Sequence, residues 1–159
     1  MVRPVDASPG VLWRRKGRVY RLTVDKGSME SMRSECARYG MYLWIPDSKE
    51  EWSFVEEILT ELIVKEQTKY MMNLGYACEI LIWTGLYNPS GSVCTLLDKQ
   101  KSQCPFVDWR VGEPSLEDEK CVHFMTVTID PATRFGGLKA NDEKCQKDFY
   151  GLCEGRYDD

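Results

Sequence analysis

Residues 35–51 read ECARYGMYLWIPDSKEE, and the two ends of this stretch carry opposite signals. Upstream of Gly40, the residues Met29, Met32 and Cys36 recur on one helical face behind Ser28, a suitable N-cap. A helix therefore stops at this glycine, which tolerates the left-handed turn that ends such elements. On the far side, Pro46-Asp47-Ser48 opens a second helix, because Ser48 with Glu51 three residues later makes a capping box. The stripe that follows, Trp52, Val55, Ile58 or Leu59, and Leu62 or Ile63, is the core-facing side of that helix.

Working outward, Tyr20, Leu22 and Val24 alternate with Val19, Arg21 and Thr23, the period of a strand over 18–24. The basic run Trp13-Arg14-Arg15-Lys16-Gly17-Arg18 just before it reads as a solvated approach to that strand. Residues 80–85 form a short buried strand. Turn formers then dominate as far as Pro114, and a long irregular stretch inside a compact domain is commonly a functional loop. Strand signals return over 121–128 and 149–153. Strand, two helices, long loop region and late strands make an α+β arrangement, with one domain expected over residues 11–156 of the 159.

Composition excludes several functions. A net charge of -4 and a pI near 5.2, with no dense basic cluster, argue against a nucleic-acid partner. No apolar run reaches the roughly 18–20 residues that a membrane helix needs, so no membrane insertion is expected, and residues 1–10 lack the apolar core of a secretory signal. The only histidine, His123, has no partnering nucleophile motif, so the chain is not read as an enzyme. Seven cysteines stand at wide, irregular spacings without a C-x-x-C pair, which points to disulfides and a secreted or extracellular form. The odd count leaves one thiol free or linking two chains into a dimer, and spacing does not choose the pairing.

Residues 108–124, DWRVGEPSLEDEKCVHF, gather Glu113, Glu117, Asp118 and Glu119 around Pro114 and close on Cys121. A hard cation needs several oxygen ligands on an irregular backbone, which this run offers. Without a metal, the same residues make a solvated, turn-rich loop, with Glu119 beside Lys120 a weak surface ion pair.

Taken together, these landmarks resemble the C-type lectin-like domain from about Val11 to Glu154. Residues 35–43 look like the end of that family's first helix, and residues 45–51 like the start of its second. Trp83-Thr84-Gly85 resembles its tryptophan-isoleucine-glycine motif, and Glu113-Pro114-Ser115 after Trp109 its glutamate-proline-asparagine triplet. Asn141-Asp142 before Cys145 looks like the end of its tryptophan-asparagine-aspartate motif, and residues 149–154 like its closing strand.

The resemblance implies a C-type lectin-like fold, two helices flanking small antiparallel sheets, stapled by Cys36–Cys153 and Cys121–Cys145. Cys94 then pairs with Cys104 and leaves Cys78 unpaired, with Cys78–Cys94 as the alternative. It implies a calcium ion held by Glu113, Ser115, Glu119, Asn141 and Asp142, with Glu113, Ser115, Glu119 and Asn141 also contacting sugar hydroxyls. Calcium takes about six to eight oxygens at roughly 2.3–2.6 Å, and three carboxylates, an amide and a hydroxyl suit it. The glutamate-proline start implies mannose, glucose or fucose-type diols, on glycans or glycoproteins. The alternative is calcium-independent recognition of a protein receptor or ligand through the long loops.

The sequence departs from the family pattern at Ser115, which replaces an asparagine, and at Ala140, which replaces a tryptophan. Lys120, Lys139 and Lys144 offer competing ammonium groups. The nineteen residues between Cys121 and Asn141 include 130–137, which looks like an inserted loop. Trp83 and Trp109 read as core residues, whereas Tyr87, Phe106 and Phe135 read as loop aromatics able to contact a ligand.

Overall fold

The computed structural model describes residues 11–86, 107–110 and 122–156. Strand β1 (Val11–Arg15) and strand β2 (Arg18–Leu22) pair antiparallel with Arg15 opposite Arg18, so Lys16 and Gly17 form a two-residue turn. Both turn residues have positive φ, 47° and 78°, as the twist of a tight hairpin demands. The basic run is therefore a hairpin rather than a solvated approach, and Trp13 packs on the core.

Helix α1 (Met29–Ala37) begins as its sequence signals require, with the Ser28 side chain accepting from the Ser31 amide, and Gly40 beyond it has φ +71°. After the two-residue strand β3 (Tyr42–Leu43), helix α2 (Lys49–Lys65) starts at Ser48, whose Oγ accepts from the Glu51 amide at 3.1 Å. Glu51 Oε1 accepts from the Asp47 amide at 3.0 Å, one residue earlier than the reciprocal bond of a standard box. The buried stripe of α2 is Trp52, Val55, Leu59, Leu62 and Ile63, as its periodicity predicts. A short α3 (Gln67–Tyr70) follows.

The remaining strands are β4 (Cys78–Trp83), β5 (Val122–Asp130), β6 (Phe135–Glu143) and β7 (Tyr150–Arg156). The order across the sheet is β1-β2-β7-β4-β5-β6, with β3 also pairing β7. Strand β7 joins two halves. Tyr150 and Gly151 run parallel to β4, whereas Leu152 to Arg156 run antiparallel to β2. Alternation decides the faces: Ile80, Ile82, Val127, Ile129, Leu138 and Ala140 turn inward onto the α2 stripe in one cluster. Burying each large apolar side chain there contributes about 1.5–3 kcal/mol.

A second cluster packs Met29, Met32, Cys36, Leu43, Trp83, Phe149 and Cys153. Its centre is the Cys36–Cys153 disulfide, which ties α1 to β7. Trp83 is fully buried and donates its indole N–H to the Gly27 carbonyl at 2.8 Å, so it is a core residue. Gly85 beside it is required by close approach, since a Cβ there would meet Ile45 Cγ1 at 2.6 Å.

Residues 130–137, read from the sequence as an inserted loop, are strand-paired at both ends. They are the tip of a long antiparallel hairpin, in which Asp130 pairs with Phe135 and Val122 with Glu143. Phe135 is therefore a strand residue, and it is 82% exposed.

Candidate functional site

The β5–β6 hairpin organises the region where the cation ligands are expected. Asn141 stands opposite Phe124 and Asp142 opposite His123. Asn141 is half-buried, and of Asp142 only the backbone is described. On the other edge of β6, residues 107–110 lie alongside in parallel. Ala140 donates its amide to the Asp108 carbonyl at 2.7 Å, and Arg110 donates to the Ala140 carbonyl at 2.9 Å. The chain leading toward Glu113 is thereby stitched to the residue just before Asn141.

Two side-chain features complete this edge. Lys139 Nζ donates to Asp108 Oδ2 at 2.7 Å, with both side chains roughly half exposed. Its ammonium group is thus engaged by a carboxylate outside the expected ligand set. Trp109 forms a parallel bridge with Ala140, and both belong to the main core cluster. A small residue at 140 lies beside an indole supplied by the neighbouring segment.

Glu113, Pro114, Ser115, Glu119 and Cys121 lie outside the described residues, as do Tyr87, Cys94, Cys104 and Phe106. Of the five expected ligands, only Asn141 has a described side chain, so their convergence rests on the sequence. Among the described residues, no three His, Cys, Asp or Glu side chains group as metal ligands. Cys145 is half-buried. Cys78 is a buried free thiol whose Sγ donates to the Gln67 carbonyl at 3.4 Å. Burial, and then the charge of Asp130, push this thiol up from its ordinary pKa.

A second polar cluster has no signal in the sequence beyond the capping role of Glu51. A single guanidinium nitrogen of Arg18 lies 2.6 Å from Glu154, 3.0 Å from Asp47 and 3.2 Å from Glu51. The Glu51 and Glu154 side chains are fully buried. Tyr20 donates to Glu51 Oε2 at 2.6 Å, and burial together with that bond raises its pKa strongly. Burial works against the charge of Arg18, but Glu154 and then Glu51 and Asp47 outweigh it and raise its pKa. Tyr42, directly opposite Glu154 in the sheet, is pushed up to about 12 by burial and then by that carboxylate. This cluster holds β2, α2 and β7 together.

Comparison with known proteins agrees with this architecture. The lectin C-type domain profile matches residues 25–155, and the chain belongs to that family. Its members are generally non-enzymatic. The mouse scavenger receptor C-type lectin carbohydrate-recognition domain superposes with a TM-score of 0.64 at 18% identity, covering 96% of this chain and 98% of its own. The C-type lectin domain of murine dendritic cell inhibitory receptor 2, solved in complex with N-glycan, gives 0.64 at 17% identity, covering 94% and 98%. A calcium-independent type II antifreeze protein gives 0.59 at 13% identity, covering 94% of each chain. At such identities the likeness is one of fold. A comparison with curated proteins gives no match.

Proposed function

We propose that this domain binds carbohydrate through a calcium ion held by Glu113, Ser115, Glu119, Asn141 and Asp142. Connectivity is the observation that supports the reading. Glu113 is three residues beyond Arg110, whose amide is bonded to Ala140, and Glu119 is three residues before Val122, which pairs with Glu143. Three residues of chain span roughly 11 Å at most, so both carboxylates are within tether reach of the Asn141–Asp142 strand. The donor set fits a hard cation. When bound, the ion supplies a coordination point for vicinal hydroxyls, which also hydrogen-bond to the ligating carboxylates and amide.

The sugar class is the mannose, glucose or fucose type of diol, and the partners are glycans or glycoproteins outside the cell. Cys121–Cys145 and Cys94–Cys104 complete the staples, within a domain spanning residues 11–156. Ser115 in place of an amide weakens the site, so calcium affinity falls at the low end for extracellular modules, about 10⁻⁴–10⁻³ M. The test is thermal unfolding with calcium against chelator, since a ligand bound to the native state raises the midpoint. A rise in midpoint together with glycan binding lost in Glu113→Gln supports the proposal; an unchanged midpoint at ten-millimolar calcium sinks it.

A second reading, calcium-independent recognition of a protein, is favoured by one observation. Leu74 and Tyr76, each 66% exposed, and Phe135 place large apolar side chains on the surface. Under that reading, Leu74→Ser and Phe135→Ser abolish partner binding that chelator leaves intact.

A further inference from the structure

The outward face of β4, β5 and β6 carries a cavity of about 900 Å³. That lies toward the upper end of the range of ligand sites, roughly 300–1,000 Å³. Strand alternation builds its floor. Because Ile80, Val127 and Leu138 turn into the core, Glu79, Leu81, Thr126, Thr128, Lys139 and Asn141 are left on the other face.

Thr126 sits at the middle of this floor, between Leu81 on β4 and Lys139 on β6. It is 7% exposed, and its hydroxyl oxygen is buried without a hydrogen-bond partner. A buried hydroxyl left unpaired destabilises the protein, and a central strand whose only task is packing is better served by valine, which has the same shape. An unpaired hydroxyl on a residue that lines a cavity points instead to a ligand atom that completes it. Engaging it takes rotation about one side-chain torsion.

The charges around the floor narrow the ligand. Lys139 is engaged by Asp108, and Arg134 by Glu61. Arg110 and Lys147, both exposed, line the same cavity and have no ion-pair partner among the described residues. Glu79 and Glu143 line it too, and their carboxylates repel a ligand with several negative groups while accepting hydrogen bonds from hydroxyls. Two unpaired cations beside two hydroxyl-accepting carboxylates suit a polyol with one negative charge. At the hairpin tip, the exposed ring of Phe135 offers an apolar surface for the C–H face of a sugar ring.

We propose that this sheet face is a second, calcium-independent site that binds an oligosaccharide bearing a single acidic group. Arg110 and Lys147 pair with the acid, while Thr126 and Thr128 hydrogen-bond to hydroxyls. The site stands whether or not calcium binds to the neighbouring loops, because every residue it uses lies on the described strands and their flanks.

The test is titration calorimetry of the full chain in excess chelator with 3′-sialyllactose, an acidic trisaccharide, and with lactose, its neutral counterpart. The acidic sugar is expected to bind about tenfold or more tightly than lactose, the contribution of one charge-assisted contact. The double variant Arg110→Gln/Lys147→Gln removes that difference. Thr126→Val weakens both sugars about tenfold while raising the unfolding midpoint of the free protein by roughly 2 °C, because it deletes the unpaired hydroxyl. A residue needed only for packing does not give that opposed pair of effects. Three results overturn the proposal: no binding in chelator, lactose bound as well as the acidic sugar, or binding unchanged in both variants. A missing calcium effect on stability overturns only the calcium site.

Discussion

Two acidic regions of this domain face opposite fates. Around Arg18, the carboxylates of Asp47, Glu51 and Glu154 converge on one guanidinium nitrogen, and two of them are wholly buried. At the edge of β6, Asp108 meets Lys139 in the open, with side chains 42% and 48% exposed. The first region carries its own cation within the fold, so its carboxylates are committed to structure. The second leaves Asn141 half-buried beside a weak pair, which is the arrangement an incoming ligand requires. Acid content alone does not mark a binding site; the difference is whether the chain already supplies the counter-charge.

The sharpest way to break this contrast is Arg18→Met. It leaves buried carboxylates without their cation, and uncompensated buried charge is costly, so stability falls by about 3 kcal/mol or more in denaturant unfolding. Adding Glu154→Gln restores part of the loss, because the remaining group is neutral and can still hydrogen-bond. A loss under about 1 kcal/mol from Arg18→Met would make the cluster a surface feature.

A smaller effect tests the other region. Ala140 is fully buried in the cluster that includes Trp109. Ala140→Trp, the family's more usual residue, overpacks this seam and costs about 1–3 kcal/mol, because the indole of Trp109 already packs there. If the variant is as stable as the parent, Trp109 does not play that part. Combining it with Trp109→Ala then recovers stability, and non-additivity in such a cycle measures the contact directly.

The sequence made the helices legible because their signals are local: Ser28, Gly40, Ser48 and Glu51 each act within four residues of where they stand. The Cys36–Cys153 staple was legible only through family resemblance, since spacing permits many pairings. Strand β6 was hidden because Gly136 and Gly137 stand near its start and Lys139, Asn141 and Glu143 fill its outer face, while Leu138 and Ala140 are its buried apolar alternates. Strand β1 was hidden behind its arginines. Of the candidate site, the ligand types were legible, but the laying of residues 108–110 along β6 was not, because parallel bridging between distant segments has no local signature. The Arg18 cluster was missed for the same reason, since Glu51 is read as a cap and its second oxygen finds a partner on another element.

Alkaline titration sharpens the contrast further, with a smaller effect. Tyr42 at the closed cluster and Tyr70 beneath β4 are both pushed up to about 12, each by burial first. Their folded values exceed the unfolded value near 10, so the folded state holds its phenolic protons longer. Their contribution is complete below pH 10 and is lost as pH rises from 10 toward 12. Stability should therefore fall with pH in that window, and Tyr42→Phe should flatten the slope. An unchanged slope in Tyr42→Phe would mean that its hydroxyl is solvated.

The least effect on stability is expected at Lys139, and it is the one that discriminates best. An exposed pair contributes about 0–1 kcal/mol, so Lys139→Gln should shift the unfolding midpoint little, and Asp108→Asn likewise. Calcium titration of the same variants reads a different quantity. Removing an ammonium group beside Asn141 lowers the local positive potential and leaves Asp108 unneutralised, so Lys139→Gln should tighten calcium binding severalfold, more at low than at high ionic strength. Asp108→Asn should loosen it by a similar factor, since the lysine charge is then uncompensated. Opposite shifts in calcium affinity from two variants of equal stability would show that the exposed seam between β6 and residues 107–110 is tuned by charge. Equal or absent shifts would mean that the cation is not held near this strand.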